Sequence, residues 1–329
     1  MKKLYLLLTP VILLVLKVQA QNPPPLQLVQ TIPLPHVEGR IDHLDVDLTG
    51  QRLFIAALGN NTLEILDLRA GKPAHSITGL YEPQGVTFIP EFNKIFVTNG
   101  QSGTCDIFDG NSFKLLQSIK SLDDADNIRY DATTQFIYIG YGDGALALVD
   151  AASGKYLGNI QLEGHPESFQ LEKQGPRIFV NIPSAHHIAI VDREKRTVLA
   201  KWPLKNAQAN FPMALDETHH RLFVGFRKPS KLIVFDTESG RIVTELNSVG
   251  DSDDIFYDPI HRRIYGIGGE GFIDVFEQKD ADHYERVTKI PTASGARTGL
   301  FVPQFNRLYL AVSHRGNQKA EIWVYEVLG

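Results

Sequence analysis

Lys94-Ile95-Phe96-Val97 decides the fold, because its pattern of one residue, usually basic, followed by three mostly apolar ones recurs along the whole chain. It stands at Arg52-Leu53-Phe54-Ile55 before this copy. After it come Phe136-Ile137-Tyr138-Ile139, Arg177-Ile178-Phe179-Val180, Arg221-Leu222-Phe223-Val224, Arg263-Ile264-Tyr265-Gly266 and Arg307-Leu308-Tyr309-Leu310. Successive copies are 42, 42, 41, 44, 42 and 44 residues apart. An apolar strand ending on an acid follows, at Asp67, Asp109, Asp150, Asp192, Asp236 and Glu277, and then a turn such as Ala152-Ser153-Gly154-Lys155. Glycine supplies the positive φ such turns need, and aspartate accepts hydrogen bonds from the turn backbone. Short alternating strands between regularly spaced turns indicate an antiparallel all-β fold. A four-stranded unit of roughly 40–45 residues is a propeller blade, so seven copies predict a seven-bladed β-propeller.

The seventh unit, from about Gly295 to Gly329, is too short for four strands. The alternating stretch Leu26-Gln27-Leu28-Val29-Gln30-Thr31-Ile32 precedes the first unit and is expected to supply the missing outer strand of the last blade. That pairing closes the ring and removes free sheet edges. Two apolar columns at the first strand of each unit are expected to pack blade on blade. One reads Leu44, Val86, Ile128, Phe169, Met213, Ile255, Gly299; the other reads Val46, Phe88, Tyr130, Leu171, Leu215, Tyr257, Phe301.

Residues 1–20 read as a secretory signal: Lys2 and Lys3 are followed by an apolar run to Leu16 and by Val18-Gln19-Ala20, which suits a small-residue cleavage site. The run is shorter than the roughly 20 residues that span a bilayer, so no stable membrane anchor is expected. Residues 21–25, with three prolines, form a short stiff linker, and residues 26–329 a single propeller domain. The expected location is periplasmic or secreted and the expected state monomeric. The formal net charge is −5, and loss of Lys2, Lys3 and Lys17 takes it to −8. That acidity argues against a nucleic-acid partner, which needs a basic footprint. The single cysteine, Cys105, cannot form an internal disulfide and reads as a packed thiol.

Function has to come from the residues that open each unit. Two positions before the first apolar column stand Asp42, Gln84, Asp126, Glu167, Phe211, Asp253 and Arg297; the next position holds His43, Gly85, Asn127, Ser168, Pro212, Asp254 and Thr298. Just upstream lie Arg40, Glu82, Asp124, His165 and Asp251. Because the first strand of each blade lines the central channel, these positions converge on one mouth. Candidate ligand-binding residues are therefore Arg40, Asp42, His43, Gln84, Asp126, Asn127, His165, Glu167, Asp253, Asp254 and Arg297. Like charges held together raise one another's pKa or recruit a cation. Asp42, Asp126, Glu167 and Asp254 are accordingly candidate ligands for a divalent cation, Ca²⁺ or Zn²⁺. No catalytic residue can be assigned: no nucleophile elbow and no Ser-His-Asp set is evident.

Through Asn93-Lys94-Ile95-Phe96-Val97-Thr98-Asn99 and the acid-turn-glycine unit Val149-Asp150-Ala151-Ala152-Ser153-Gly154-Lys155, the chain resembles the YVTN-repeat, YncE-like family of secreted seven-bladed propellers over roughly residues 26–329. The family's name-giving tyrosine is Phe96 here. The resemblance implies the fold and export but no single activity. Some family members are linked to DNA, and lactonase-type propellers place carboxylates and amides around a central metal. Three functions are weighed: an exported propeller binding a small molecule or a protein segment at its channel mouth, a metal-dependent lactonase-like hydrolase, and a structural envelope protein. If the export reading holds, intact-mass analysis of protein recovered from the periplasm or medium will give a chain beginning at Gln21. Full-length chain confined to the cytoplasm would contradict it.

Overall fold

The computed structural model of the protein describes residues 23–329, so residues 1–20, read above as a secretory signal, and Gln21-Asn22 lie outside the described residues. Seven four-stranded antiparallel sheets follow one another along the chain. Blades 1 to 6 occupy Leu44–Thr78, Pro83–Ile119, Ile128–Gln161, Phe169–Pro203, Gln208–Asn247 and Ser252–Pro291. Blade 7 takes three strands from the C-terminal end, Gly299–Val302, Arg307–Val312 and Glu321–Val327, and its fourth from Leu26–Pro33. The pairing runs antiparallel from Leu26 opposite Val327 to Pro33 opposite Glu321, with one irregularity between Leu28 and Gln30. The expected ring closure is therefore present.

Each blade's first strand neighbours the first strand of the next blade, and the seventh returns to the first. This closed ring of inner strands is what brings sequence-distant residues to one axis. Outward from it the strands become progressively wetter: the anchor strands are almost wholly buried, while the outermost strands, such as Lys72–Thr78 and Leu115–Ile119, are largely exposed. The core is not one mass but seven sandwiches, one at each blade interface. Ile32, Leu53, Leu66, Tyr309 and Ile322 pack blade 7 on blade 1, for example, and Phe96, Ile107, Ile128 and Ile137 pack blade 2 on blade 3. The first apolar column is buried throughout. The second is not: apart from Phe88 its members are only half-buried.

The acids that end the third strands cap the turns after them. Asp67 Oδ1 accepts from the amides of Arg69 and Ala70 at 2.9 Å each, and Asp109, Asp150, Asp192 and Asp236 do the same in their blades. These bonds favour the carboxylate, and Asp109, Asp150, Asp192 and Asp236 all sit below the ordinary carboxylate range. Cys105 is fully buried, and burial pushes its thiol up, as expected of a packed rather than a reactive cysteine.

The closing strand can be tested at two of its own positions. Ile32 is 1% exposed between blades 7 and 1, whereas Val29, at the irregularity, is 44% exposed. Ile32→Ala should cost about 2–5 kcal/mol in urea unfolding. Val29→Ala should stay within about 0.5 kcal/mol of wild type. Equal effects would show that this strand does not lock the ring.

Candidate functional site

The chain enters each inner strand through a tight bend. At Glu82, Asp124, Ala209 and Asp251 that bend uses φ of 52°, 50°, 58° and 52°, the left-handed region that non-glycine residues rarely adopt, and Gly295 holds the equivalent place in blade 7 at 84°. The bend is tied to the loop between the second and third strands. Gly100 N donates to Glu82 O and Gly269 N to Asp251 O, both at 2.9 Å. Glycine follows the anchor strand in these blades, and a Cβ on Gly269 would lie 2.2 Å from Asp251 Oδ2, so a side chain there would displace that carboxylate. Backbone strain repeated around one rim is a feature of functional sites.

Seven of the eleven predicted residues, Arg40, Asp42, His43, Asp126, Asn127, Glu167 and Asp253, line a small well at this mouth, together with Ser168 and Phe211. The well encloses about 30 Å³, room for roughly one water molecule. The other four stand around it: His165 beside Asp126, Arg297 beside Asp253, Asp254 beneath His43, and Gln84 at the rim, 3.4 Å from Asp124.

All of these carboxylates except Glu167 have a cationic neighbour. Arg40 Nη2 donates to Asp42 Oδ2 at 2.8 Å. His43 lies 3.8 Å from both Asp42 and Asp254, and Asp254 also accepts from Gly299 N at 2.8 Å. His165 lies 3.9 Å from Asp126 and 3.6 Å from Asp124. Asp253 pairs with Arg227 and with Arg297 Nε at 2.6 Å, the latter close but not aligned as a hydrogen bond. Asp42, Asp126, Glu167 and Asp254 therefore share a ring without forming a coordination set; among the described residues no three His, Cys, Asp or Glu side chains are placed to hold a metal ion. The physical reason is that arginine and histidine already neutralise the ring.

Arg227 is the residue the repeat alignment did not flag. It lies near the end of the anchor strand of blade 5, Arg221–Lys228, at a position occupied in the other units by Leu58, Gly100, Gly142, Pro183, Gly269 and Ser313. A lone charge in that series was the available signal. Its guanidinium lies 3.9 Å from the ring centroid of Phe211, which explains the aromatic residue in an otherwise polar column.

Two polar groups in the well are left over. The buried Asn127 Oδ1 has no hydrogen-bond partner among the described residues. The Glu167 carboxylate likewise makes no hydrogen bond or ion pair among them, and burial followed by the charge of Asp126 pushes it up to about 7. The neighbours behave differently. Burial raises Asp42 to about 6 against the pull of His43 and Arg40. Burial alone would raise Asp126 too, but His165, His43 and Arg40 hold it below the ordinary range. The two histidines gain more from the carboxylates than burial removes: His43 rises to about 10 and His165 to about 9. Glu167, and to a lesser extent Asp42, are thus the ring carboxyls that can hold or release a proton near neutral pH.

Beneath His43 the channel widens to a chamber of about 380 Å³. Asp45, Thr87, Arg129, Gln170, Phe256 and Leu300 line it from one register position, midway between the apolar columns. These side chains tie adjacent inner strands: Phe88 N donates to Asp45 Oδ2 at 2.7 Å and Gln170 Nε2 to Met213 O at 2.9 Å. His43 and Asp254 separate this chamber from the well above.

No family model matches the chain. Two curated relatives, uncharacterized proteins YncE of Salmonella typhimurium and Salmonella typhi, are each 25% identical over 158 residues, 46% of this chain and 44% of theirs. The matched segment thus spans less than half the length of those relatives. Among solved structures, a chain of Kuenenia stuttgartiensis hydrazine synthase superposes with a TM-score of 0.75 at 14% identity, covering 89% of this chain and 95% of that one. A chain of the mitotic checkpoint complex gives 0.77 at 13%, covering 98% and 99%. The protein is a seven-bladed propeller with weak sequence similarity to YncE; at these identities the solved structures speak for the fold alone.

Glu167 is testable through its titration. A carboxyl raised to about 7 favours the native state while protonated, and that contribution is lost as pH climbs from the unfolded value near 4.5 through 7. Glu167→Gln keeps the neutral shape, so its stability relative to wild type should increase between pH 5 and 8 and level off above. A difference that does not change with pH would mean Glu167 titrates normally.

Proposed function

We propose that the protein is an exported binding propeller whose channel mouth receives the hydrogen-bond-donating head of a small polar molecule, with the rest of the ligand lying over the rim. The observation that carries this reading is the pair left over in the well: a buried Asn127 Oδ1 without a partner beside a Glu167 carboxylate without one. A buried acceptor left unmade costs about 1–3 kcal/mol, which a bound donor recovers. The well is water-sized, so the inserted group is a hydroxyl, an amine or an amide N–H. Export is supported by the character of residues 1–20, and the acidic balance of the chain favours ligands other than nucleic acid.

Propeller architecture suits this role, since the blades form a rigid scaffold that holds convergent side chains without relying on a mobile loop. The metal-dependent hydrolase reading lacks a coordinating set among the described residues. A purely structural role leaves Asn127 and Glu167 unexplained.

The reading is tested by isothermal titration calorimetry with ethanolamine, glycinamide, glucose and guanidinium as probes. At least one should bind one-to-one, with affinity falling about tenfold or more in both Asn127→Ala and Glu167→Gln. Tighter binding to the ionised well gives affinity that rises from pH 6 to 8 in wild type and not in Glu167→Gln. Failure of every probe to saturate, or indifference to both variants, would overturn the proposal.

A further inference from the structure

A second cavity opens on the same face, beside the well and sharing Arg40 with it as a wall. It encloses about 390 Å³ between the entry segments of blades 1, 6 and 7, large enough for a small organic molecule. Arg40, Arg297, His314 and Arg315 line it, against a single acid, Asp251, which is already engaged by Arg297 Nη1 at 3.0 Å.

The cavity exists because blade 7 departs from the repeat. Its second and third strands, Arg307–Val312 and Glu321–Val327, are joined by residues 313–320, whereas the equivalent joints in blades 1 to 6 contain one to four residues. Loops added to one unit of a repeat structure commonly serve recognition on the face they occupy. This loop is itself organised, with Arg315 and Gln318 exchanging backbone hydrogen bonds at 3.0 Å. Ser313 Oγ accepts from Ile41 N at 3.1 Å, which anchors the loop to blade 1.

Arg315 is the telling residue. It is exposed, and its side chain makes no hydrogen bond or ion pair among the described residues. Its guanidinium lies over Gly295, where a Cβ would come within 2.2 Å of Nη1. A side chain at Gly295 would displace the Arg315 guanidinium from this place beside the cavity. Arg40 engages Asp42 through Nη2 alone, Arg297 engages Asp251 through Nη1 and Asp253 through Nε and keeps Nη2 free among the described residues, and His314 Nδ1 is held by Glu38 at 2.8 Å. An unengaged arginine flanked by two further guanidiniums is the arrangement that recognises a carboxylate or phosphate group, through paired N–H donors.

We propose that this cavity is an anion-binding pocket, in which Arg315 with Arg40 and Arg297 takes the carboxylate or phosphate end of a small organic ligand. The inference rests on reading this face as the binding face, and it extends that reading: with the donor head seated in the well, the anionic end of the same molecule lies across Arg40. A hydroxy- or amino-acid, or a phosphate ester bearing a free hydroxyl, has both groups.

The test uses the full chain, with inorganic phosphate and succinate as probes at constant ionic strength, read by calorimetry. One of the two should bind one-to-one, and their order of affinity tells phosphate from carboxylate recognition. Arg315→Glu should weaken that binding by about tenfold or more, the effect of losing a charge-assisted donor. Lys72→Glu, on the exposed outer strand of blade 1, makes the same change in net charge and should leave affinity unaltered. No saturable binding of either anion, a smaller loss in Arg315→Glu, or an equal loss in Lys72→Glu would overturn the proposal. The well is scored through Asn127 and Glu167 and this pocket through Arg315, so either reading can fail while the other stands.

Discussion

The pairing of Leu26–Pro33 with Glu321–Val327 is the constraint on which the rest of the structure depends. Seven blades stack face to face around an axis, and each buries its apolar side chains only against its neighbours. An open stack would leave two sheet faces wet and let the end blades splay. Stitching the two ends of the chain into one sheet converts a linear array into a ring, so Ile32 and Leu34 complete the last sandwich alongside Leu53 and Ile322. Only a closed ring fixes the radius at which the inner strands sit. That radius sets whether Asp42 and Asp253, which are 211 positions apart in sequence, line one well.

Once the ring is closed, electrostatics shapes its mouth. Six or more carboxylates around one small opening would be untenable bare, because burial raises the free energy of each ionised form and neighbouring charges add to it. The solution is a belt of alternating sign: Arg40, His43, His165, Arg227 and Arg297 each face at least one acid. Such a belt rigidifies the rim and leaves its leftovers conspicuous. Asn127 and Glu167 lie inside the belt, outside the pairing, and next to a cavity of water size. The neighbouring space under the blade 7 loop has the opposite character, with guanidinium in excess.

Much of this was legible in the chain. The anchor spacing yields seven blades because the alternation and the acid-ended strands repeat with little drift, and the stray alternating stretch at Leu26–Ile32 had one place to go. The convergence of Asp42, Asp126, Glu167 and Asp253 followed from topology alone, since position within the repeat fixes position around the axis. Pairing was not legible. Arg227 comes from the far end of a second strand rather than from the opening column, and Arg315 from a loop that breaks the repeat, so counting acids in the column overstated the negative charge and suggested a cation. The half-buried state of Tyr130, Leu171 and Tyr257 was also hidden, because periodicity tells which face a side chain takes but not how completely the neighbouring blade covers it.

The central claim is that the mouth holds an unmet need for a hydrogen-bond donor at Asn127 and Glu167. A crystal structure at a resolution that shows ordered solvent tests it most directly. The account predicts a water or a ligand donor about 2.7–3.2 Å from Asn127 Oδ1 and within hydrogen-bond reach of the Glu167 carboxylate. An Asn127 amide fully satisfied by protein atoms, with Glu167 ion-paired to Arg40 or Arg227 and the well closed, would contradict it.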